Sequence, residues 1–449
     1  MSTPRRYFLL TLGCAKNTVD SDSMAELLGR GGLLPAKRPA LADVIIVNTC
    51  AFIGPAREES LSALRELAGK KRPGQWVIAA GCLSQRMGGE LARLVPGLDG
   101  VIGTRRWMDI LAVIEELRRR ADTLPVVHLP PAPAIGTDER GVLRAAVRGA
   151  SAYLKIADGC NRECAFCAIP AIKGPLVSRP IERILEEGRA LQDWGVQELV
   201  LLAQDTTVYG RDLGMRDGLA SLLEGLAEAA PRIEWIRVMY SFPGSVNDRL
   251  IDTMAAHPQV LPYLDLPLQH AHPAVLRRML RPSDPGDARR MIDRMRARLP
   301  GLAVRTAFIV GYPGESEAEF DALMEFIRAA RFDRVGCFLY SREEGTASAA
   351  LPDDVAPALK EERRGRLMEL QQGISLEENR KWVGRTLDVL VEGRRKGLAV
   401  GRSYRDAPEV DGVVLIEGDA APGTIVSVRV TGALPYDLIG EIAEEKSKK

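Results

Sequence analysis

The sequence predicts an α/β protein built from an N-terminal open parallel α/β domain, a central partial (β/α)6 barrel and a small antiparallel C-terminal β-barrel. Three observations lead there. Short apolar runs alternate with amphipathic stretches from Tyr7 to about Arg120 and again from Tyr153 to Tyr340, the signature of βα units around parallel strands. Pro125, Pro130, Pro131, Pro133 and Gly136 interrupt the pattern between these two series, as loop composition does. After a charged helical stretch from about Pro357 to Arg380, the chain changes to short β-rich runs separated by turn signals. At 449 residues the length suits about three domains. The expected divisions are 1–120, a linker at 121–145, 146–375 and 376–443.

In the first unit, three strand candidates end alike. Tyr7 to Leu12 runs into Gly13-Cys14, Val44 to Val47 into Asn48-Thr49-Cys50, and Trp76 to Ala80 into Gly81-Cys82. Ligands of an open α/β sheet sit beyond the carboxyl ends of its strands, so three cysteines far apart in sequence can converge there. One cysteine at a strand end is ordinarily a small buried hydrophobe. Three in equivalent positions point to a ligand set.

The second series offers strands at Tyr153 to Ala157, Glu198 to Ala203, Trp235 to Tyr240, Leu261 to Leu266, Val304 to Val310 and Val335 to Tyr340. Helical patterns separate them, among them Ile181 to Trp194 and Ser316 to Ala330. Six βα units without a seventh or eighth make a partial barrel, whose working face is the carboxyl end of its strands. Just beyond the first strand stands Gly159-Cys160-Asn161-Arg162-Glu163-Cys164-Ala165-Phe166-Cys167. Three thiolates satisfy three irons of a four-iron cluster and leave the fourth open to a further ligand. Structural zinc instead wants four ligands, as paired cysteines or a Cys/His mix, and the nearest histidines in sequence are His128 and His257. Gln204, Asp205 and Thr206 follow the second strand, and Gln269 and His270 follow the fourth; these mouth positions are candidates for cosubstrate or target contacts. Gly311 and Gly314 end the fifth strand and permit a close backbone approach. Phe166 reads either as a contact at the mouth or as plain core, and Cys337 as core.

The C-terminal runs Leu387 to Val391, Gly412 to Ile416 and Ile425 to Val430 suit a small barrel. Between Val383 and Gly440 it has seven basic and eight acidic residues, a poor electrostatic partner for phosphates. The whole chain, with 61 basic and 60 acidic side chains, lacks the basic excess of a nucleic-acid binder. Seven cysteines with no secretory signal argue for reduced thiols and metal ligands over disulfides. The opening residues Met1 to Arg6 are too brief and wrongly flanked for a signal peptide, the tail Glu444 to Lys449 reads as a solvated end, and no stretch reaches the length of a membrane span. A cytoplasmic location is expected.

The spacing of Cys160, Cys164 and Cys167 resembles the signature of the radical S-adenosylmethionine superfamily, and the run Ile309 to Glu315 resembles its adenine-contacting turn. With a three-cysteine N-terminal domain and a C-terminal barrel of the TRAM kind, nearly the whole chain looks like a methylthiotransferase. Asp158 to Asn161, Leu176 to Pro180, Ala203 to Thr207, Pro267 to Ala271, Arg334 to Phe338 and Gly401 to Glu409 look like the RimO type, which modifies a ribosomal protein. The transfer-RNA branch typically has an asparagine where Asp205 stands and a serine-glycine pair near His270. The resemblance implies two [4Fe-4S] clusters, one on Cys160, Cys164 and Cys167 and one on Cys14, Cys50 and Cys82. It implies S-adenosylmethionine as cofactor, with Phe166, Gln204, Gly311 and Gly314 as its contacts, one molecule giving the methyl group and another the radical. The implied target is the β-carbon of an aspartate in small-subunit ribosomal protein twelve, free or in the assembled subunit. A reducing donor such as flavodoxin or ferredoxin is also implied, with no membrane and no required contact to nucleic acid. The alternatives are a transfer-RNA adenosine methylthiotransferase and a non-catalytic, metal-stabilised RNA-binding protein.

Overall fold

The structure, a computed structural model, describes residues 4–120, 124–130, 140–282 and 284–443. Met1 to Thr3, the linker residues Pro131, Pro133 and Gly136, and the tail Glu444 to Lys449 lie outside the described residues. In the first unit the chain runs β1 (Arg6–Thr11), α1 (Ala15–Arg30), β2 (Leu34–Pro35), β3 (Val44–Thr49), α2 (Gly54–Gly69), β4 (Trp76–Gly81), α3 (Cys82–Met87), α4 (Gly89–Leu94), β5 (Gly100–Gly103), α5 (Ile110–Arg119) and β6 (Val126–His128). The strands form one parallel sheet in the order β2-β1-β3-β4-β5-β6. β3 and β4 are buried at every residue, as central parallel strands covered on both faces must be. β6 falls inside the stretch expected as linker. Its two valines between prolines are too short a run to register as a period, yet with His128 they pair with Gly100 to Ile102 and extend the sheet.

The second unit begins with β7 (Ala145–Arg148), antiparallel to β8 (Ser151–Lys155). It continues through β9 (Ala157–Asp158), α6 (Ile169–Lys173), β10 (Val177–Ser178), α7 (Ile181–Asp193), β11 (Glu198–Leu202), α8 (Gly218–Ala229) and β12 (Trp235–Val238). Then follow α9 (Asp248–Ala256), β13 (Tyr263–Asp265), α10 (Pro273–Arg278), α11 (Pro285–Arg298), β14 (Ala303–Val310), α12 (Glu317–Ala330) and β15 (Arg334–Leu339). β12-β11-β8 and β13-β14-β15 are parallel arcs joined by an Ile236–Val260 bridge. The barrel stays open because β7 pairs with the free edge of β8, where a closing strand would have to lie. α12 starts where its sequence says: Ser316 and Glu319 form a reciprocal capping box, which satisfies two backbone donors at the helix start. α13 (Pro357–Arg380) packs Leu367 and Ile374 into the barrel core, and its Gln371 and Ser375 donate to the carbonyls of Phe332 and Asp333.

The last unit is a closed barrel in the order β16-β17-β18-β20-β19, from β16 (Thr386–Arg395), β17 (Leu398–Ser403), β18 (Val414–Glu417), β19 (Ile425–Ala433) and β20 (Leu438–Ile442). It is not antiparallel throughout as expected, since β18 and β20 run parallel. Five strands around a ring cannot alternate in direction without one neighbouring pair agreeing. A charged joint fixes this barrel to the central one. Glu198 of β11 takes Arg402 at 2.6 Å and Arg237 at 2.7 Å, Arg334 pairs with Asp406 at 2.6 Å, and Arg405 pairs with Asp333 at 2.7 Å. Tyr263 donates to Asp411 at 2.6 Å. These arginines are buried. Buried pairs of this kind add little net stability over apolar packing, but losing one partner costs ~3–5 kcal/mol, so they hold one geometry. No helix among the described residues is long and apolar enough to cross a membrane.

Candidate functional site

Adjacent strands β1, β3 and β4 each deliver a cysteine at their carboxyl end: Cys14 caps α1, Cys50 follows Thr49, and Cys82 opens α3. Two glycines make this convergence possible. Gly13 and Gly81 both hold φ +92°, a region open mainly to glycine. A Cβ on Gly13 would stand 2.7 Å from the Cβ of Cys50, and one on Gly81 would stand 2.6 Å from the carbonyl of Thr49. Asn17, which the sequence reading missed, joins the three loops. Its Nδ2 donates to the carbonyls of Leu12 and Thr49, and its Oδ1 lies 3.8 Å from the Cys82 sulfur. Asn48 in turn donates to the carbonyl of Asn17 and to the Ser21 hydroxyl.

The three thiols differ in readiness to ionise. Burial raises Cys50 and pushes Cys82 up to about 12, with the Lys173 ammonium opposing that rise at Cys82. Cys14 is exposed by accessible area yet surrounded by many protein atoms, as a group lining a cleft is. Burial works against its anion, but Lys16, the amides of Asn17 and Lys16, and Lys173 outweigh it and hold the thiol below its ordinary value. Metal coordination deprotonates such thiols outright.

The second set stands between β9 and α6. The amide of Arg162 lies 3.4 Å from the Cys160 sulfur, and a guanidinium nitrogen of Arg281 lies 3.6 Å from that of Cys164. Both guanidinium groups pack on the Phe242 ring, 3.8 and 4.2 Å from its centroid, and Arg162 is also held by Asp205 at 2.8 Å. N–H groups aimed at sulfur stabilise the negative charge of an iron–sulfur cluster. Among the described residues no three His, Cys, Asp or Glu side chains close around a single metal ion. A four-iron cube takes one thiolate on each of three irons and spreads them wider than one ion would. The donor set at each site fits that group.

The other candidates gather at the barrel mouth. Gln204 donates to Asp158 at 3.2 Å, while its Oε1, the Ser241 hydroxyl and the His270 Nε2, the last 3.8 Å from a Glu315 carboxylate oxygen, are buried without a hydrogen-bond partner. Unpaired buried polar atoms are what a bound polar cosubstrate would satisfy. Burial drives His270 down to about 3, so its ring is neutral, and its Nδ1 accepts from the amide of His272. Phe166 packs beside Tyr312, Tyr340 and Met279, between the cysteine loop and the Gly311–Gly314 turn. Glu315, another residue the sequence reading missed, organises that turn: it accepts from the amides of Gly311 and Tyr312 and pairs with Arg363 of α13 at 2.9 Å. Gly311 faces the stem of Lys360, whereas a Cβ on Gly314 would meet the Arg278 Nε at 3.9 Å. Asp205 braces Arg162 and the amide of Thr207, and Thr206 donates to the carbonyl of Met239. The Gln269 backbone pairs with Ala307 and Ile309, and Cys337 packs against the core from β15.

A buried charge network occupies the junction of the two sites. Asp20 of α1 takes Arg144 at 2.6 Å, Lys155 at 2.6 Å and Lys173 at 3.1 Å, and Asp158 takes Lys155 at 2.8 Å and Lys173 at 3.5 Å. All five side chains are at most 2 % exposed. The network connects the helix that opens at Cys14 to the strand before Cys160 and the helix after Cys167, and so ties the two cysteine sets into one frame.

Residues 154–327 match the Radical SAM superfamily, residues 6–103 a family described as Uncharacterized protein family UPF0004, and residues 383–443 the TRAM domain. The ribosomal protein uS12 methylthiotransferase RimO of Roseiflexus sp. (strain RS-1) is 49% identical over 460 residues, which cover 98% of this chain and 97% of the relative. The protein of the same name from Chloroflexus aurantiacus is also 49% identical, covering 97% of this chain and 99% of its own. Among solved structures, the radical S-adenosylmethionine methyltransferase TsrM from Kitasatospora setae shares the fold, with a TM-score of 0.56 at 16% identity over 89% of this chain and 81% of that one.

Proposed function

We propose how the chain, which belongs to the ribosomal protein uS12 methylthiotransferase family of radical S-adenosylmethionine enzymes, divides its reaction between its two three-cysteine sites. The reaction is the attachment of a methylthio group to ribosomal protein uS12. In our reading Cys160, Cys164 and Cys167 hold one four-iron cluster and Cys14, Cys50 and Cys82 a second, and the acceptor is the β-carbon of an aspartate. When bound at the barrel, the first cluster supplies the electron that splits S-adenosylmethionine and so provides a 5′-deoxyadenosyl radical able to take hydrogen from an unactivated carbon. The observation that carries the division is that one buried network of Asp20, Lys155, Asp158 and Lys173 joins the helix after Cys14 to the strand before Cys160 and the helix after Cys167.

The chain's own residues orient and enclose. Gln204, Ser241 and the Gly311–Gly314 turn offer polar contacts to S-adenosylmethionine at the barrel mouth, and Phe166 supplies an apolar wall. Arg162 and Arg281, clamped on Phe242, set the field around the cysteine loop. Asn17 and Asn48 keep the N-terminal cysteines in register. One S-adenosylmethionine serves as methyl donor and another as radical source, and a small reducing protein such as flavodoxin or ferredoxin delivers the electron. A ribosomal target places the reaction in the cytoplasm.

The transfer-RNA reading is not favoured by the relatives, nor by charge. Setting aside Arg402, Arg405, Asp406 and Asp411, which the joint buries, the stretch Val383 to Gly440 keeps five basic and six acidic side chains, with no positive surplus for phosphate. Side-by-side incubation of the loaded enzyme with small ribosomal subunits and with transfer RNA, read by mass spectrometry, tests the assignment. One methylthio group on an aspartate of uS12 is expected; methylthio-adenosine with unmodified uS12 would reverse it.

A further inference from the structure

We infer that Lys16 and Tyr240 form the seat for the side-chain carboxylate of the target aspartate, an inference that rests on the aspartate acceptor proposed above. Lys16 is half-buried, two residues after Cys14, and its ammonium stands 3.2 Å from the centroid of the Tyr240 ring. Arg144, Lys155 and Lys173 in the same junction are paired with Asp20 or Asp158. Lys16 differs from them: among the described residues its ammonium meets no carboxylate and no hydrogen-bond acceptor. An aromatic face attracts a cation but leaves its N–H donors unmatched. A carboxylate arriving in the cleft would match them.

The position of the pair fits that role. Tyr240 follows β12 at the barrel mouth and holds φ +59°, a conformation rare for a bulky residue and one that clusters at functional sites. Its amide donates to Asp265 at 2.9 Å and its carbonyl accepts from Thr206 at 3.1 Å, which keeps the turn in place. Ser241 beside it is 4 % exposed, with a hydroxyl that has no partner. One residue further, Phe242 lies under Arg162, whose amide faces the Cys160 sulfur. On the other side, Lys16 acts electrostatically on Cys14. An anion held by Lys16 therefore lies between the two cysteine sets. In aspartate the carboxylate is one bond from the β-carbon, so fixing the carboxylate confines that carbon to a short arc within the same gap. An adenine ring carries no anion for this lysine, which makes the pair a specificity determinant for the protein target.

The test uses cluster-loaded enzyme and a peptide spanning the target segment of uS12 in aspartate and asparagine forms, with affinities read by fluorescence anisotropy and KM and kcat measured on the aspartate form. Wild type should bind the aspartate peptide about tenfold tighter, as expected for one well-placed charge pair. Lys16→Met should bring the two affinities within about twofold and raise KM about tenfold, with iron content retained, and Lys16→Arg should restore most of the discrimination. A Lys16→Met enzyme that still prefers aspartate tenfold overturns the inference, and so does one that loses iron, because Lys16 would then serve Cys14 rather than the target. Wild-type enzyme that modifies neither peptide nor small subunit overturns the functional reading instead, and this inference with it.

Discussion

The barrel site takes its three cysteines from one loop, Cys160 to Cys167, whereas the N-terminal site takes Cys14, Cys50 and Cys82 from the ends of three separate strands. The first is local: its ligands stay near each other in the unfolded chain, and the entropy of bringing them together is small. The second exists only after β1, β3 and β4 have paired. Their supports differ accordingly. The loop is steadied by side chains from other barrel elements, Arg281 and Phe242, while the strand-end site depends on backbone shape at Gly13 and Gly81 and on the amides of Asn17 and Asn48. A local site tolerates distortion of its surroundings better than a site made by topology.

The contrast breaks most completely when the barrel set is removed. Replacing Cys160, Cys164 and Cys167 by alanine should abolish both 5′-deoxyadenosine formation and methylthiolated product and halve the iron; iron unchanged from wild type would show that the loop binds none. Replacing Cys14, Cys50 and Cys82 should stop only the product, with 5′-deoxyadenosine still formed, and methylthiolated uS12 from that variant would reduce the N-terminal cysteines to structural residues. The smallest change sharpens the comparison. Gly13→Ala forces a side chain into a left-handed turn against Cys50 and should cost about 1–3 kcal/mol of N-terminal domain stability. It should lose iron from the strand-end site while the loop site keeps its own, as measured by denaturant titration and iron analysis; equal loss from both sites would refute the division into topological and local.

That same division governs how far the sequence could be read. The cysteine loop declared itself by spacing alone, and the strand-end set by three repeats of one pattern, apolar run followed by cysteine. The six parallel barrel strands were equally visible, because each is an apolar run long enough to show. β6 and β7 were not, being edge strands of three and four residues. β17 and β20, interrupted by Gly401 and Gly440, also escaped notice, and with them the parity that demands a parallel pair. Asn17, Asp20, Lys155 and Lys173 left no signal, since a single polar residue has no period and its partner is known only once distant segments meet. The stretch Gly401 to Glu409 stood out as RimO-like without a physical reason. The structure supplies one: Arg402, Arg405 and Asp406 are joint residues, buried between two barrels.

That joint makes the C-terminal barrel a caliper jaw. With Arg402 on Glu198, Arg405 on Asp333 and Arg334 on Asp406, the module has no swing to lose when something docks on it, so no interdomain freedom is spent on binding. A macromolecule gripped there would meet the barrel mouth at one fixed span. Candidate substrates would then be sorted by the length between the gripped patch and the reacting carbon, a measurement in ångströms made before any chemistry begins.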